Sequence, residues 1–156
     1  MLKPLKTLVR FTRQDRNLVL RAATTLVVSW VRLRVQGIEE LRAWAARPGN
    51  GTVAAKRLAW AVMKVSRRVP GTTCLSEALA LQHLLSESGH RSELIIGVNI
   101  SHGRFSAHAW LLFDDEILIG GDSVENYKLL AAWSTYGACR APDSNKRGRR
   151  ELSGSV

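Results

Sequence analysis

Residues 70–89 read PGTTCLSEALALQHLLSESG, a helix that carries its own punctuation. Pro70-Gly71 breaks the preceding chain, Thr72-Thr73 can supply an N-capping oxygen, and Gly89 sits where a C′ residue ends a helix. The spacing predicts a helix starting at Cys74, which places a thiol in the first turn. Backbone amides there lack intrahelical partners and the helix dipole is positive, so thiolate is favoured over thiol. The same amides can stabilise the oxyanion that forms when a carbonyl is attacked.

Downstream the periodicity changes. Residues 93–100 (ELIIGVNI), 104–113 (RFSAHAWLLF) and 117–121 (ILIGG) read as short strands, the last two joined by a polar turn at Asp114-Asp115-Glu116. Residues 127–133 fit helix or strand. A hairpin centred on that turn places His108 and Asp122 at opposite ends of paired strands, so in-register pairing brings them to neighbouring positions. A histidine near a helix-start cysteine can take its proton and later protonate a leaving amine, while a third polar group fixes the ring. Taken singly, a buried cysteine is more often a small hydrophobe and a strand histidine more often structural. The helix start and the hairpin together give Cys74, His108 and Asp122 a catalytic reading.

Upstream the chain is helical and basic. Residues 6–35 repeat apolar side chains every three or four positions (Leu8, Phe11, Leu18, Ala22, Leu26, Trp30), with arginines between them. Further helices are expected at 38–46 and 53–68, separated by the loop Arg47-Pro-Gly-Asn-Gly51. The formal charge of +10 is unevenly spread. Residues 1–70 hold 15 Lys/Arg against 3 Asp/Glu, residues 71–139 hold 3 against 8, and residues 140–156 hold 5 against 2. The fold expected is α+β: a basic helical region over 1–70, a core over 71–139 with the Cys-bearing helix packed on a small antiparallel sheet, and a disordered basic tail over 140–156. The basic half either completes the fold with its arginines in water or docks an acidic partner or a membrane surface.

The segments LAWAVMKVSRRVPGTTCLSEALALQHLLSESGHRSELIIGV (58–98) and FSAHAWLLFDDEILIGG (105–121) resemble the transglutaminase-like cysteine-protease superfamily, whose order is Cys on a helix, His on a strand and Asp on the next. Within it, they are similar to the leader peptidases of lasso-peptide biosynthesis. The resemblance implies a bacterial cytoplasmic peptidase that cuts the leader from a ribosomally made precursor. A separate ATP-dependent cyclase, similar to asparagine synthetases, would then close a macrolactam. It implies Cys74 as nucleophile and His108 as general base and acid, with the acid one hairpin later. Asp122 fits that place best, with Asp114, Asp115 and Glu116 nearby. Some relatives carry a fused strand-containing leader-recognition module. Residues 1–70 show no strands, so a separate recognition protein is expected as partner. A transferase or deamidase sharing the thioester, or a non-catalytic adaptor using the basic half, are the other readings of the same chain.

Other chemistries find less support. Two cysteines, Cys74 and Cys139, without a CxxC pair fit a reducing cytoplasm better than a disulfide scaffold. No apolar h-region marks a signal peptide, and the uncharged run 22–31 is far shorter than the roughly 20 residues that span a bilayer. The four histidines (His83, His90, His102, His108) form no HExxH, and no Gly-rich phosphate loop precedes a helix, so neither metal nor nucleotide cofactor is expected. Nucleic acid is not expected either, since no recognised binding motif accompanies the charge.

Overall fold

The computed structural model describes residues 12–101, 103–122 and 124–135. His102, Cys139 and the 140–156 tail, for which disorder is expected, lie outside them. Four helices come first: α1 (Arg13–Val35), α2 (Ile38–Ala45), α3 (Ala55–Ser66) and α4 (Cys74–Glu87). Four strands follow: β1 (Glu93–Ser101), β2 (Arg104–Phe113), β3 (Glu116–Ile119) and β4 (Lys128–Ser134). The fold is α+β. Of the helix expected over 6–35, residues 6–11 lie outside the described residues, and α1 begins at Arg13. Thr12 is extended and forms a capping box: the Asp15 amide donates to Thr12 Oγ1 at 3.1 Å, and Asp15 Oδ2 accepts the Thr12 amide at 3.1 Å. That reciprocal pair satisfies two amides at once and sets the helix start at Arg13.

α4 is the centre of the molecule. Its buried residues (Ser76, Ala78, Leu79, Ala80, Leu81, Gln82, Leu84, Leu85, Ser86) surround the axis, so it is enclosed by other elements rather than laid on a surface. The basic helices α1 to α3 pack on it and share one apolar core with it through Leu18, Ala22, Leu26, Leu41, Leu58, Val62 and Val65. Their cations are largely matched locally. Arg21 pairs with Glu87 at 2.6 Å, Arg57 with Asp15 at 2.7 Å, and Arg34 lies over the Trp30 ring at 3.8 Å.

The sheet lies on the other side of α4 in the order β3-β2-β1-β4, every neighbouring pair antiparallel. Leu94, Ala109, Leu111, Ile119 and Trp133 join the core from it. Residues 127–133, compatible with helix or strand in sequence, fall mostly in β4. β4 crosses to pair with β1, and Gln82 Nε2 of α4 donates to the Trp133 carbonyl at 3.1 Å. The β2–β3 turn is formed by Asp114 and Asp115, with φ of 49° and 61°. Short acidic side chains tolerate that left-handed region better than most.

Two hydrogen bonds tie α1 to the start of α4. Ser29 Oγ donates to the Ser76 carbonyl at 2.9 Å in a fully buried position, and Trp30 Nε1 donates to the Gly71 carbonyl at 2.8 Å. Replacing Ser29 by Ala removes the first of these at little cost in volume. It should lower the unfolding free energy by about 1 kcal/mol, seen as a lower urea midpoint at constant slope. An unchanged midpoint would mean that the bond contributes nothing net.

Candidate active site

Cys74 is the first residue of α4, as its lead-in predicts. Thr73 is the N-cap: its Oγ1 accepts the Ser76 amide at 3.2 Å, and Ser76 Oγ accepts the Thr73 amide at 2.9 Å. The first intrahelical bond is Glu77 N to the Thr73 carbonyl, 3.0 Å. Both cap hydroxyls therefore serve amides other than those of Cys74 and Leu75, which stand at the open end of the helix. The loop in front is anchored too, with Thr72 Oγ1 donating to the Val69 carbonyl at 3.3 Å. Cys74 is a free thiol and half-buried.

A cavity of about 230 Å³ opens where the end of α3, the start of α4 and the β2–β3 region meet. Cys74 and Glu77 line it from α4, His108 and Ala109 from β2, and Ile119, Gly120 and Asp122 from the end of β3. Met63, Ser66 and Arg67 close the α3 side. The three residues singled out by sequence thus share one hollow. Asp114 and Asp115 are spent in the turn and Glu116 pairs with Lys56 at 3.0 Å, so none of these three acids lines it.

The imidazole of His108 is oriented by backbone. Its Nε2 lies 2.8 Å from the Gly120 carbonyl oxygen. A carbonyl can only accept, so Nε2 carries the proton, and in the neutral ring Nδ1 is left as a base. No hydrogen bond joins Asp122 to His108 among the described residues, which departs from the neighbouring placement expected from hairpin register. Pairing of β3 runs Leu111↔Ile119 and stops there, with a register shift between Leu111 and Leu112. Gly120 then turns away at φ +76°, and a Cβ on it would lie 2.5 Å from the Ala109 carbonyl oxygen. Only glycine takes that position without strain, and Asp122 is carried to the exposed rim of the cavity.

Aromatic rings set the other limits on His108. Trp110 lies stacked at 6.1 Å and Tyr127 tilted at 5.3 Å between centroids. Gly97 is opposite His108 in the β1–β2 register, and a Cβ there would meet Trp110 and Tyr127 atoms at 2.8 Å. The remaining described histidines are held elsewhere. His83 stacks on Trp44 at 4.2 Å with Nδ1 2.8 Å from the Trp44 carbonyl, and His90 Nε2 lies 2.8 Å from the Val53 carbonyl. Among the described residues no group of His, Cys, Asp and Glu could hold a metal ion.

Glu77 is a site residue that sequence reading passed over. It follows Cys74 by three residues, which in a helix is the same face one turn on. Burial pushes its carboxyl above the ordinary glutamate range, while the Thr72 and Ser66 hydroxyls and the His108 ring pull the other way. The +3 spacing from a candidate nucleophile was the available signal.

A cysteine opening a central helix and a strand histidine whose Nε2 is held by backbone line one cavity of an α+β domain. The transglutaminase-like superfamily model matches residues 18–132, and the chain belongs to that superfamily. The match includes most of α1 and so extends well upstream of residue 58, where the sequence resemblance begins. Members are commonly cysteine peptidases or transferases. Comparison with curated proteins and with solved structures finds no match. Among the described residues no helix is long and apolar enough to cross a membrane.

Two substitutions probe this geometry. Gly120→Ala forces a Cβ into a carbonyl at positive φ and displaces the acceptor of His108. Selective alkylation of Cys74 should slow by an order of magnitude or more, while Gly121→Ala (nearest atom Ile117 Cγ2 at 3.4 Å, an ordinary contact) leaves the rate near wild type. The second concerns pH. A glutamate whose folded pKa is raised contributes stability that is fully present below its unfolded value, about 4.3, and is lost as pH rises through the folded one. Glu77→Gln should remove that loss, so the difference in unfolding free energy between variant and wild type grows in the variant's favour from acid to neutral pH. A flat difference curve would contradict the assignment.

Proposed function

We propose that the chain is a cysteine peptidase that removes the leader from a ribosomally synthesised precursor peptide. The observation that carries the reading is the His108 ring: Nε2 is committed to the Gly120 carbonyl, leaving Nδ1 as a base in the same cavity as Cys74. Nδ1 takes the thiol proton as Sγ attacks the scissile carbonyl carbon. The oxyanion meets the open amides at the start of α4. Collapse breaks the C–N bond, and the imidazolium protonates the departing amine, which is the new N-terminus of the core peptide. Water, deprotonated by His108, then attacks the thioester, releasing the leader carboxylate and restoring Cys74. Asp122, at the rim, is the side-chain candidate for stabilising the imidazolium once the peptide is in place.

Leader removal rather than general proteolysis is supported by the likeness of residues 58–98 and 105–121 to lasso-peptide leader peptidases. On this reading the precursor is delivered by a separate recognition protein, and a macrolactam-forming cyclase uses the freed amine in a bacterial cytoplasm. A transferase or deamidase would pass through the same thioester and differ only in the acceptor, an amine instead of water, or in the amide attacked.

The test mixes the protein with a precursor peptide and a recognition protein and follows the products by mass spectrometry. Two fragments whose masses sum to the precursor plus one water are expected. Cys74→Ala should lower the rate at least about a thousandfold and His108→Ala by a similar factor, whereas Cys74→Ala protein that cleaves at the wild-type rate would overturn the proposal. An intact precursor shifted in mass would assign the thioester to transfer or deamidation.

A further inference from the structure

The α3 side of the active cavity carries one cation, Arg67, beside Met63 and Ser66. Lys64, Arg67 and Arg68 line a second hollow of about 370 Å³ at the end of that helix. Arg67 also lines the cavity that holds Cys74 and His108, so one arginine is common to both. Neighbouring cations are engaged. The Arg68 guanidinium donates to the Lys64 carbonyl at 3.0 Å, and the Lys64 ammonium lies 5.4 Å from the Trp60 ring centroid. Arg21, Arg42 and Arg57 are in ion pairs. Arg67 has no carboxylate, carbonyl or ring partner among the described residues, and it is exposed. Two acids line its cavity, Glu77 and Asp122, and neither pairs with it.

An arginine is a rigid fork of donors matched to a carboxylate, and it stays charged under all ordinary conditions. Left open beside a nucleophile, with two further cations within one helical turn, it makes a local positive field that a substrate anion would relieve. We propose that Arg67 heads an anion subsite of the catalytic cleft, which takes a carboxylate of the peptide on the α3 side of the scissile bond. Lys64 and Arg68 supply the surrounding field. The assignment of the ligand as a peptide rests on the peptidase reading above; the anion site itself does not.

The experiment uses the full chain and reads Cys74 separately from Cys139 by peptide mapping. Cys74 is alkylated with anionic iodoacetate and with neutral iodoacetamide in wild type, Arg67→Gln and Arg67→Lys. At low salt the iodoacetate-to-iodoacetamide rate ratio should fall about three- to fivefold in Arg67→Gln and be largely kept in Arg67→Lys. An unchanged ratio in Arg67→Gln overturns the subsite, whether or not any peptide is cut. With a cleavable precursor, each Asp and Glu is exchanged singly for its amide, with the C-terminus free or amidated. One exchange should lower kcat/KM several-fold in wild type and have no effect in Arg67→Gln. Loss on amidation alone would place the terminal carboxylate there, and loss on a Glu or Asp exchange a side chain. Cleavage indifferent to every exchange also overturns it. If wild type cuts no peptide, the peptidase reading fails and the alkylation ratio alone decides the subsite.

Discussion

The proposed mechanism needs the first turn of α4 held rigidly while two of its amides and a thiol stay open, and much of the structure answers that requirement. A helix start is usually stabilised by spending side-chain oxygens on its free amides. Here the Thr73–Ser76 box spends them on the Ser76 and Thr73 amides and leaves those of Cys74 and Leu75. The box then has to be fixed from outside. Ser29 reaches the Ser76 carbonyl, Trp30 the Gly71 carbonyl, and Thr72 the Val69 carbonyl at the end of α3. The loop before Cys74 is therefore gripped from α1 and α3 together.

That grip gives the basic half a structural role. Leu18, Ala22 and Leu26 bury α1 against the core at spacings of four, and apolar area of this kind outweighs surface ion pairs, whose typical worth is only about 0–1 kcal/mol. Arg21–Glu87, Arg57–Asp15 and Arg34 over Trp30 are the outer face of the same packing. The choice left open by sequence, between completing the fold and presenting charge to a partner, resolves differently for different arginines. Arg21, Arg32 and Arg34 on α1 lie against neighbouring side chains, whereas Arg67, at the end of α3, is exposed and lines two hollows.

What sequence shows and what it hides divide along a physical line. Helix α4 was legible because its boundaries are side-chain events: a threonine oxygen at one end and Gly89 at φ +77° at the other. The β2–β3 turn was legible for the same reason. The Thr12–Asp15 box is equally a side-chain event, and T-x-x-D was there to be read; the apolar period running back through Phe11 and Leu8 masked it. β4 was ambiguous because a bulge between Ile96 and Gly97 shifts its register and blurs the alternation. The acceptor of His108 had no signature at all, since every residue has a carbonyl and only the turn at Gly120 selects this one.

The two halves of the site belong to different layers, which explains why the sheet side is built from glycines and rings. Cys74 is placed by helix packing, and His108 is carried by β2, whose Ala109 and Leu111 join the same core as α4. Small shifts in that layer would move the ring and thiol apart, so the ring needs restraints of its own. Gly97 leaves room for Trp110 and Tyr127, whose rings lie near that of His108, and Gly120 admits backbone close enough to hold Nε2. A carbonyl, unlike a carboxylate, brings no formal charge and needs no titration to keep its place. It fixes the tautomer at any pH where the ring is neutral. In the proposed mechanism a charged partner such as Asp122 would then act on the imidazolium alone, which forms only during the reaction.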